Sequence, residues 1–252
     1  MALTLQDRVA VVIGGARGIG EGIVDVLVES GARVVLADVR EDLAAQVAAR
    51  HDGRVTATKA DISNAADMKR VVDETVARHG RLDILCQVAG IYPARPLEDV
   101  PEEEWDRVLN INLKGAFLAM KAAVPVMKRQ KYGRIVLTGS ITGPIVSWPE
   151  HAAYASSKAG LVGLAKTAAI ECGPFGITVN VMAPGNVETP NLREERGAEH
   201  MAMMARAVPS GRLATPRDCG NCVAFLASDA ASYVNGTVLV LDGGQVLLEA
   251  KL

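Results

Sequence analysis

The sequence predicts an α/β fold, a doubly wound parallel sheet in one domain covering residues 1–252. Three observations carry this expectation. Short β-branched runs of strand length alternate with helical patterns from end to end. The first such run ends in a glycine-rich turn that opens a helix. No composition break, linker or internal repeat divides the 252 residues, a length that fits one large domain.

Residues 8–13, RVAVVI, form the apolar run that a strand covered on both faces requires. Gly14-Gly15-Ala16-Arg17-Gly18-Ile19-Gly20 follows, then a helical pattern through Ile23, Val24, Leu27 and Val28 that closes at Gly31. The spacing is G-x-x-x-G-x-G, which departs from the commoner G-x-G-x-x-G dinucleotide motif, but the physics is shared. Gly14 permits a tight turn, Gly18 lets the backbone approach a pyrophosphate, and Gly20 lets helix and strand pack closely. The helix N-terminus then offers free N–H groups to a phosphate. Without its flanking strand and helix, the stretch would be an ordinary glycine turn.

A second strand, RVVLAD, ends at Asp38. A carboxylate there accepts both hydroxyls of an adenine ribose and repels a 2′-phosphate. That favours NAD over NADP. Arg17 and Arg40 pull the other way, because a guanidinium pairs well with phosphate. A helix over 41–50 leads to a third strand, RVTATKAD, and Asp61-Ile62, where a carboxylate can face an adenine amino group. A helix over 65–79 precedes the fourth strand, within LDILCQVAG, whose Ala89-Gly90 end lets a cofactor lie against backbone. One long helix is expected over 102–128, with Asn112 inside its apolar stripe; a buried amide there needs a partner.

The fifth strand, GRIVLTG, delivers Ser140 to the sheet edge where ligands of open α/β sheets collect. Tyr154-Ala-Ser-Ser-Lys158 opens the next helix, which runs to Gly173-Pro174. Residues four apart share a helix face. An ammonium close to a phenol favours the phenolate, by about 1–3 pKa units for a typical charge pair, and so suits acid/base work near neutral pH. On its own Y-x-x-x-K also describes an ordinary surface pair. The sixth strand, GITVNVMAPG, runs into Pro184-Gly185-Asn186-Val187-Glu188-Thr189-Pro190, a fixed turn at the same edge. Residues 190–213 are polar and Met-rich without strong periodicity, and read as a substrate lid or a surface helical hairpin. A helix containing Cys219 and Cys222 and a last strand, TVLVLDGG, complete the sheet, and the tail 245–252 is expected to dock on a neighbouring subunit.

Composition narrows the function. A net charge of −2 without a basic run argues against nucleic acid or an anionic membrane as the main partner. The N-terminus lacks a signal-peptide layout, no apolar run reaches the ~18 residues of a membrane span, and a cytoplasmic address is expected. The four cysteines fit a reducing compartment. Cys219 and Cys222 read as small apolar packing residues. The four histidines show no metal-ligand spacing, and no metal is expected.

Together Gly14…Gly18-Ile19-Gly20, Asp38, Asp61, Ala89-Gly90, Asn112, Ser140, Tyr154-x-x-x-Lys158 and Pro184-Gly185-x-Val187-x-Thr189 resemble the short-chain dehydrogenase/reductase family over essentially the whole chain. The resemblance implies a Rossmann-type domain with a seven-stranded sheet, NAD(P)(H) as cofactor, and hydride transfer to or from a carbonyl carbon. It implies Tyr154 as general acid/base, Ser140 orienting the substrate oxygen, and Lys158 lowering the tyrosine pKa and binding the nicotinamide ribose. It also implies Asn112 holding a water in a proton relay, Val187 and Thr189 against the carboxamide, Asp61-Ile62 and Val39 near the adenosine, and a homotetramer or homodimer. Two departures stand out: Ile13 where the family has Thr, and Gln87-Val88 where it has Asn-Asn. Ile13 and Gln87 or Val88 are expected to be neighbours on adjacent strands.

Tyr92, Arg95, Thr142, Trp148, Glu150 and His151 are candidates for the substrate wall. The reading is therefore an NAD(H)-dependent oxidoreductase of secondary alcohols and ketones. Its rivals are an NADPH-dependent 3-oxoacyl thioester reductase and a dinucleotide-binding regulator without turnover.

Overall fold

The computed structural model describes residues 4–247. Seven parallel strands stand in the order β3-β2-β1-β4-β5-β6-β7. They are β1 (Val9–Ile13), β2 (Arg33–Asp38), β3 (Val55–Lys59), β4 (Ile84–Gln87), β5 (Gly133–Thr138), β6 (Ile177–Pro184) and β7 (Val238–Leu241). The helices are α1 (Ile19–Glu29), α2 (Glu41–Ala49), α3 (Ala65–His79), α4 (Glu102–Leu109), α5 (Gly115–Gln130), α6 (Ala152–Cys172), α7 (Pro190–Arg206) and α8 (Pro216–Ala227). The fold is the single doubly wound domain expected. The tail residues 248–252 lie outside the described range.

Strand periodicity builds two cores. Val11 and Ile13 of β1 face one layer with Met68 and Val72 of α3, Ala119 and Met120 of α5, and Leu161 and Ala165 of α6. Ala10 and Val12 face the other with Ile23 and Leu27 of α1, Val47 of α2, and Val223 and Leu226 of α8. Helix ends follow local chemistry. The Asn64 side chain caps α3 by accepting from Ala66 N–H, and left-handed Gly80 ends it. Thr215 and Asp218 form a capping box on α8. Cys219 and Cys222 sit on the buried face of α8, where burial pushes their thiols up to about 12 and about 11, as packing residues would show.

The chain departs from expectation in one helix. The helix expected over 102–128 is broken by a π turn, Asn110–Lys114, between α4 and α5. A π turn widens the ring by one residue without disturbing hydrophobic composition, so the apolar stripe gave no sign of it; such turns concentrate at functional sites. The segment read as a substrate lid or a surface helical hairpin contains α7, interrupted at Gly197 (φ 75°, ψ 168°). It carries its own small core of Met201, Val208 and Leu213.

The strand order reverses between β1 and β4, which opens a crevice at the carboxyl edge of the sheet. Ile13 pairs with Gln87 across it, as expected of neighbours on adjacent strands. Val88 and Ala89 both donate their N–H to the Ile13 carbonyl at 2.9 Å. Gln87 is buried and its amide turns onto the Ala89 carbonyl at 2.6 Å, while its Oε1 has no protein partner. The strand tie at this edge is therefore made by backbone.

At the opposite edge, fully buried Asp83 accepts from Val9 N–H at 2.9 Å and from both arms of Arg81 at 2.7 Å. Removing the carboxylate leaves a buried donor and a guanidinium unmatched. Asp83→Ala is expected to cost about 1–3 kcal/mol, read as a lower urea midpoint at unchanged slope.

Candidate active site

The glycine turn is built by close approach. A Cβ on Gly20 would lie 1.9 Å from the Gly14 carbonyl oxygen, and one on Gly14 (φ +85°) 2.5 Å from Ala89 N. Only glycines let β1, α1 and the end of β4 meet there. Gly18 begins α1 with no side-chain cap, so the first N–H groups of that helix are unclaimed by a cap. Uncapped N–H groups at a helix N-terminus are donors that suit an anion. The segment 184–189 sits against the turn, since a Cβ on Gly18 would touch Thr189 Cγ2 at 3.3 Å. Gly185 N–H donates to the Leu241 carbonyl, and Val187 is buried. Thr189 caps α7 by accepting from Leu192 N–H at 3.3 Å.

Asp38 is buried at the end of β2. One oxygen accepts from Ala16 N–H and the other from Arg40 N–H, both at 3.0 Å. The carboxylate therefore anchors the glycine turn, with further lone pairs left for ribose hydroxyls. Val39 beside it is exposed, Ile62 is buried, and Asp61 spends one oxygen on the Ser63 hydroxyl and N–H. Arg17 reaches across to Glu194 of α7 at 2.5 Å. Its charge is paired with the expected lid, and the Arg40 guanidinium lies 3.9 Å from Asp38.

Ser140, Tyr154 and Lys158 converge at the same edge. The Ser140 hydroxyl lies near enough to the Tyr154 phenol to lower its pKa and accepts from Thr142 N–H at 3.1 Å. Lys158 is buried, 5.6 Å from the Tyr154 ring centre, and donates to the Thr138 carbonyl at 2.7 Å. The electrostatics correct the expectation of a phenol made acidic by a neighbouring cation. Burial holds the phenol above its ordinary value, with the Ser140 hydrogen bond opposing and Tyr92 adding to the rise. Burial also pushes Lys158 down to about 8. Burial penalises the ionised form of each and drives both groups toward their neutral forms.

Asn112 is buried and finds the partners that a core amide needs. Its Nδ2 donates to the Ile91 carbonyl at 2.9 Å and to Ser157 Oγ at 3.0 Å, and its Oδ1 accepts from Ile91 N–H at 2.9 Å. Both amide hydrogens are committed to protein, so the side chain clamps the loop after β4, with one Oδ1 lone pair left over. Gly90 sits between the two polar groups: a Cβ there would lie 3.2 Å from Asn112 Oδ1 and 3.6 Å from Lys158 Nζ. Ser157 and Thr138 were missed from sequence. A serine buried in an alanine-rich helix, three residues after Tyr154, was the available signal for the first; a backbone carbonyl leaves none for the second.

Of the substrate-wall candidates, Tyr92 and His151 stand edge-on to the Tyr154 ring, with centres 6.4 and 6.1 Å away. Trp148 is exposed, and Thr142 bridges to Val146. The Arg95 guanidinium pairs with Glu104 at 3.1 Å, and the Arg95 backbone N–H donates to the Glu150 carbonyl at 2.8 Å. Arg95 thus braces the loop and its charge is already matched. Glu150 has φ 68°, a strained value for a non-glycine residue, next to the start of α6. Among the described residues no cluster of three or more His, Cys, Asp or Glu could hold a metal, and no helix is long and apolar enough to cross a membrane.

A family model described as "Enoyl-(Acyl carrier protein) reductase" matches residues 14–245. The chain is 39% identical over 256 residues to "Oxidoreductase UcpA" of Salmonella typhimurium, covering 98% of this chain and 97% of the relative. It is 34% identical to an "NAD-dependent glycerol dehydrogenase" of Listeria innocua, over 96% and 95% of the two chains. It is 36% identical to "3-oxoacyl-[acyl-carrier-protein] reductase FabG" of Thermotoga maritima, over 97% and 100%.

The buried ammonium has a stability signature. Lys158 titrates near 8 in the folded chain against an ordinary 10.5, so between those values the unfolded chain binds more protons and folding is favoured as pH rises. Relative to Lys158→Met, the wild type is expected to gain roughly 3 kcal/mol across that window, at about 1.4 kcal/mol per pKa unit. Urea unfolding of both proteins at pH 7 and pH 10 measures the difference.

Proposed function

The chain belongs to the short-chain dehydrogenase/reductase family, and from that membership we propose that it interconverts a secondary alcohol and its ketone with NAD(H), Tyr154 acting as general acid/base. The single observation behind this reading is the Ser140–Tyr154 hydroxyl pair, with buried Lys158 behind it, at the crevice formed by the glycine turn and the 184–189 segment. A bound nicotinamide supplies the hydride acceptor for oxidation and the hydride donor for reduction.

In reduction, the Ser140 and Tyr154 hydroxyls hold the carbonyl oxygen, and Tyr154 gives it a proton as the carbon gains hydride. A phenol held neutral by burial is suited to that donation. In oxidation the phenolate takes the carbinol proton, so the rate rises with pH as the phenol ionises. Lys158, while charged, favours that phenolate and is placed to bind a ribose hydroxyl. Gly14, Arg17, Gly18, Ile19, Gly20, Asp38, Asp61, Ile62, Ala89, Gly90, Val187 and Thr189 would hold the dinucleotide. Tyr92 and His151 form the aromatic wall of the substrate site.

NAD is favoured over NADP because Asp38 occupies the end of β2 while Arg17 is already paired with Glu194. A second reading, an NADPH-dependent reductase of 3-oxoacyl thioesters, is supported by the FabG relative, by the description of the family model and by Arg40, whose side chain is partly exposed beside Asp38. Residues 190–213 act as a lid in this proposal. Self-association as a tetramer or dimer is supported by an apolar groove between α4, α5 and α6 with Phe117 exposed in it. A cytoplasmic location completes the proposal.

Tyr154→Phe is expected to lose about 10²-fold or more in turnover while binding NADH normally, in an NADH-formation screen over secondary alcohols. Turnover equal to wild type would remove Tyr154 from the mechanism. Wild type should bind NADH about tenfold or more tightly than NADPH, and Asp38→Asn, which keeps an acceptor for Ala16, should narrow that ratio. Tighter NADPH binding by wild type would favour the thioester reading.

A further inference from the structure

The link between the π turn and the helix carrying the phenol is a residue that no motif marked. Ser157 is fully buried on α6. Its hydroxyl donates to the Tyr154 carbonyl at 2.7 Å and accepts from Asn112 Nδ2 at 3.0 Å. A serine that only bonds back to its own helix is common and needs no further role. Here the second bond comes from another element. Asn112 then grips Ile91 through both its N–H and its carbonyl, next to Gly90, where a Cβ would reach both Asn112 and Lys158. A continuous run of hydrogen bonds therefore joins the first turn of α6, the π turn and the loop after β4.

We propose that Ser157 is a positioning residue for the acid/base chemistry: bonded at once to the Tyr154 carbonyl and the Asn112 amide, it keeps the phenol in register with Ser140 and with the loop after β4. The proposal rests on the reading of Tyr154 as the acid/base. Ser157 touches no reacting atom and acts through the backbone of the first helical turn. That turn has no side-chain cap of its own at His151. The widened ring at Asn110–Lys114 accounts for the partner, since it interrupts the α4–α5 helix where Asn112 meets Ser157. Alanine at 157 removes one oxygen, leaves a helix-favouring residue, and strands the Asn112 N–H without an acceptor. The helix survives while the register is lost.

The test compares Ser157→Ala, Ser157→Thr and Tyr154→Phe by alcohol oxidation across pH, with NADH binding measured separately. Ser157→Ala is expected to lower kcat about tenfold or more, because small misplacements of reacting groups are costly. KM for the alcohol and Kd for NADH should stay within about threefold. The rising alkaline limb should move up by roughly one pH unit, because a phenol loosened from Ser140 loses a hydrogen bond that favours its ionised form. Ser157→Thr keeps the hydroxyl and should restore the limb and most of kcat; if its added methyl unfolds the chain, the alanine limb alone decides. A wild-type kcat and limb in Ser157→Ala would overturn the proposal. So would a fall in kcat with no shift of the limb, which marks a merely structural role. If Tyr154→Phe retains turnover, the acid/base reading itself fails; if it is inactive while Ser157→Ala behaves as wild type, only the positioning role fails.

Discussion

The contact on which the rest of the molecule depends is the meeting of three backbones at Gly14. The strand end of β1, the first turn of α1 and the end of β4 come closer there than any side chain would allow. Because the strand order reverses between β1 and β4, this point is also where the sheet opens toward solvent. Packing and binding therefore share one constraint: the absence of Cβ atoms that lets the layers close also leaves N–H groups bare for an anion. Asp38 strengthens the arrangement by holding Ala16, so the residue that reads the ribose in the proposed function also shapes the turn beneath the phosphates.

The acid/base corner is organised by burial more than by charge attraction. The phenol and the ammonium sit in surroundings that penalise both ionised forms, and the ammonium is steadied by a strand carbonyl. Such a site holds a neutral phenol at rest, ready to donate. Ionising it draws on Ser140 and on whatever charge Lys158 retains, which is why the proposed oxidation and reduction respond differently to pH.

The segment carrying α7 and the glycine turn are tied across the crevice by Arg17 and Glu194. The pair is partly exposed, and such pairs contribute little to stability, about 0–1 kcal/mol. Its importance is geometric, since it joins a segment with its own small core to the turn over which a dinucleotide would lie. The break in α7 at Gly197 follows three residues after Glu194, so the tied part of the helix and the part bearing Met201 and Met204 are separate pieces.

By itself, the sequence determined the alternation of strands and helices, the glycine turn, the acid closing β2, and the serine, tyrosine and lysine at the carboxyl edge. These are local properties: the period of apolar residues, turn chemistry, and a four-residue helical spacing. The expectation that Ile13 neighbours Gln87 or Val88 came from the family resemblance, and the register bears it out. Only the tertiary structure decided what those groups do to one another. The inserted residue at Asn110–Lys114 leaves the apolar stripe unchanged, so an uninterrupted helix was the natural reading. Asn112 finds its partners at Ile91 and Ser157, and Arg95 finds Glu104, through folds of the chain that periodicity does not encode. The direction of the Tyr154 and Lys158 shifts was hidden for the same reason. Spacing tells how near two charges lie along a helix, but the cost of ionising them is set by how much water the rest of the protein removes.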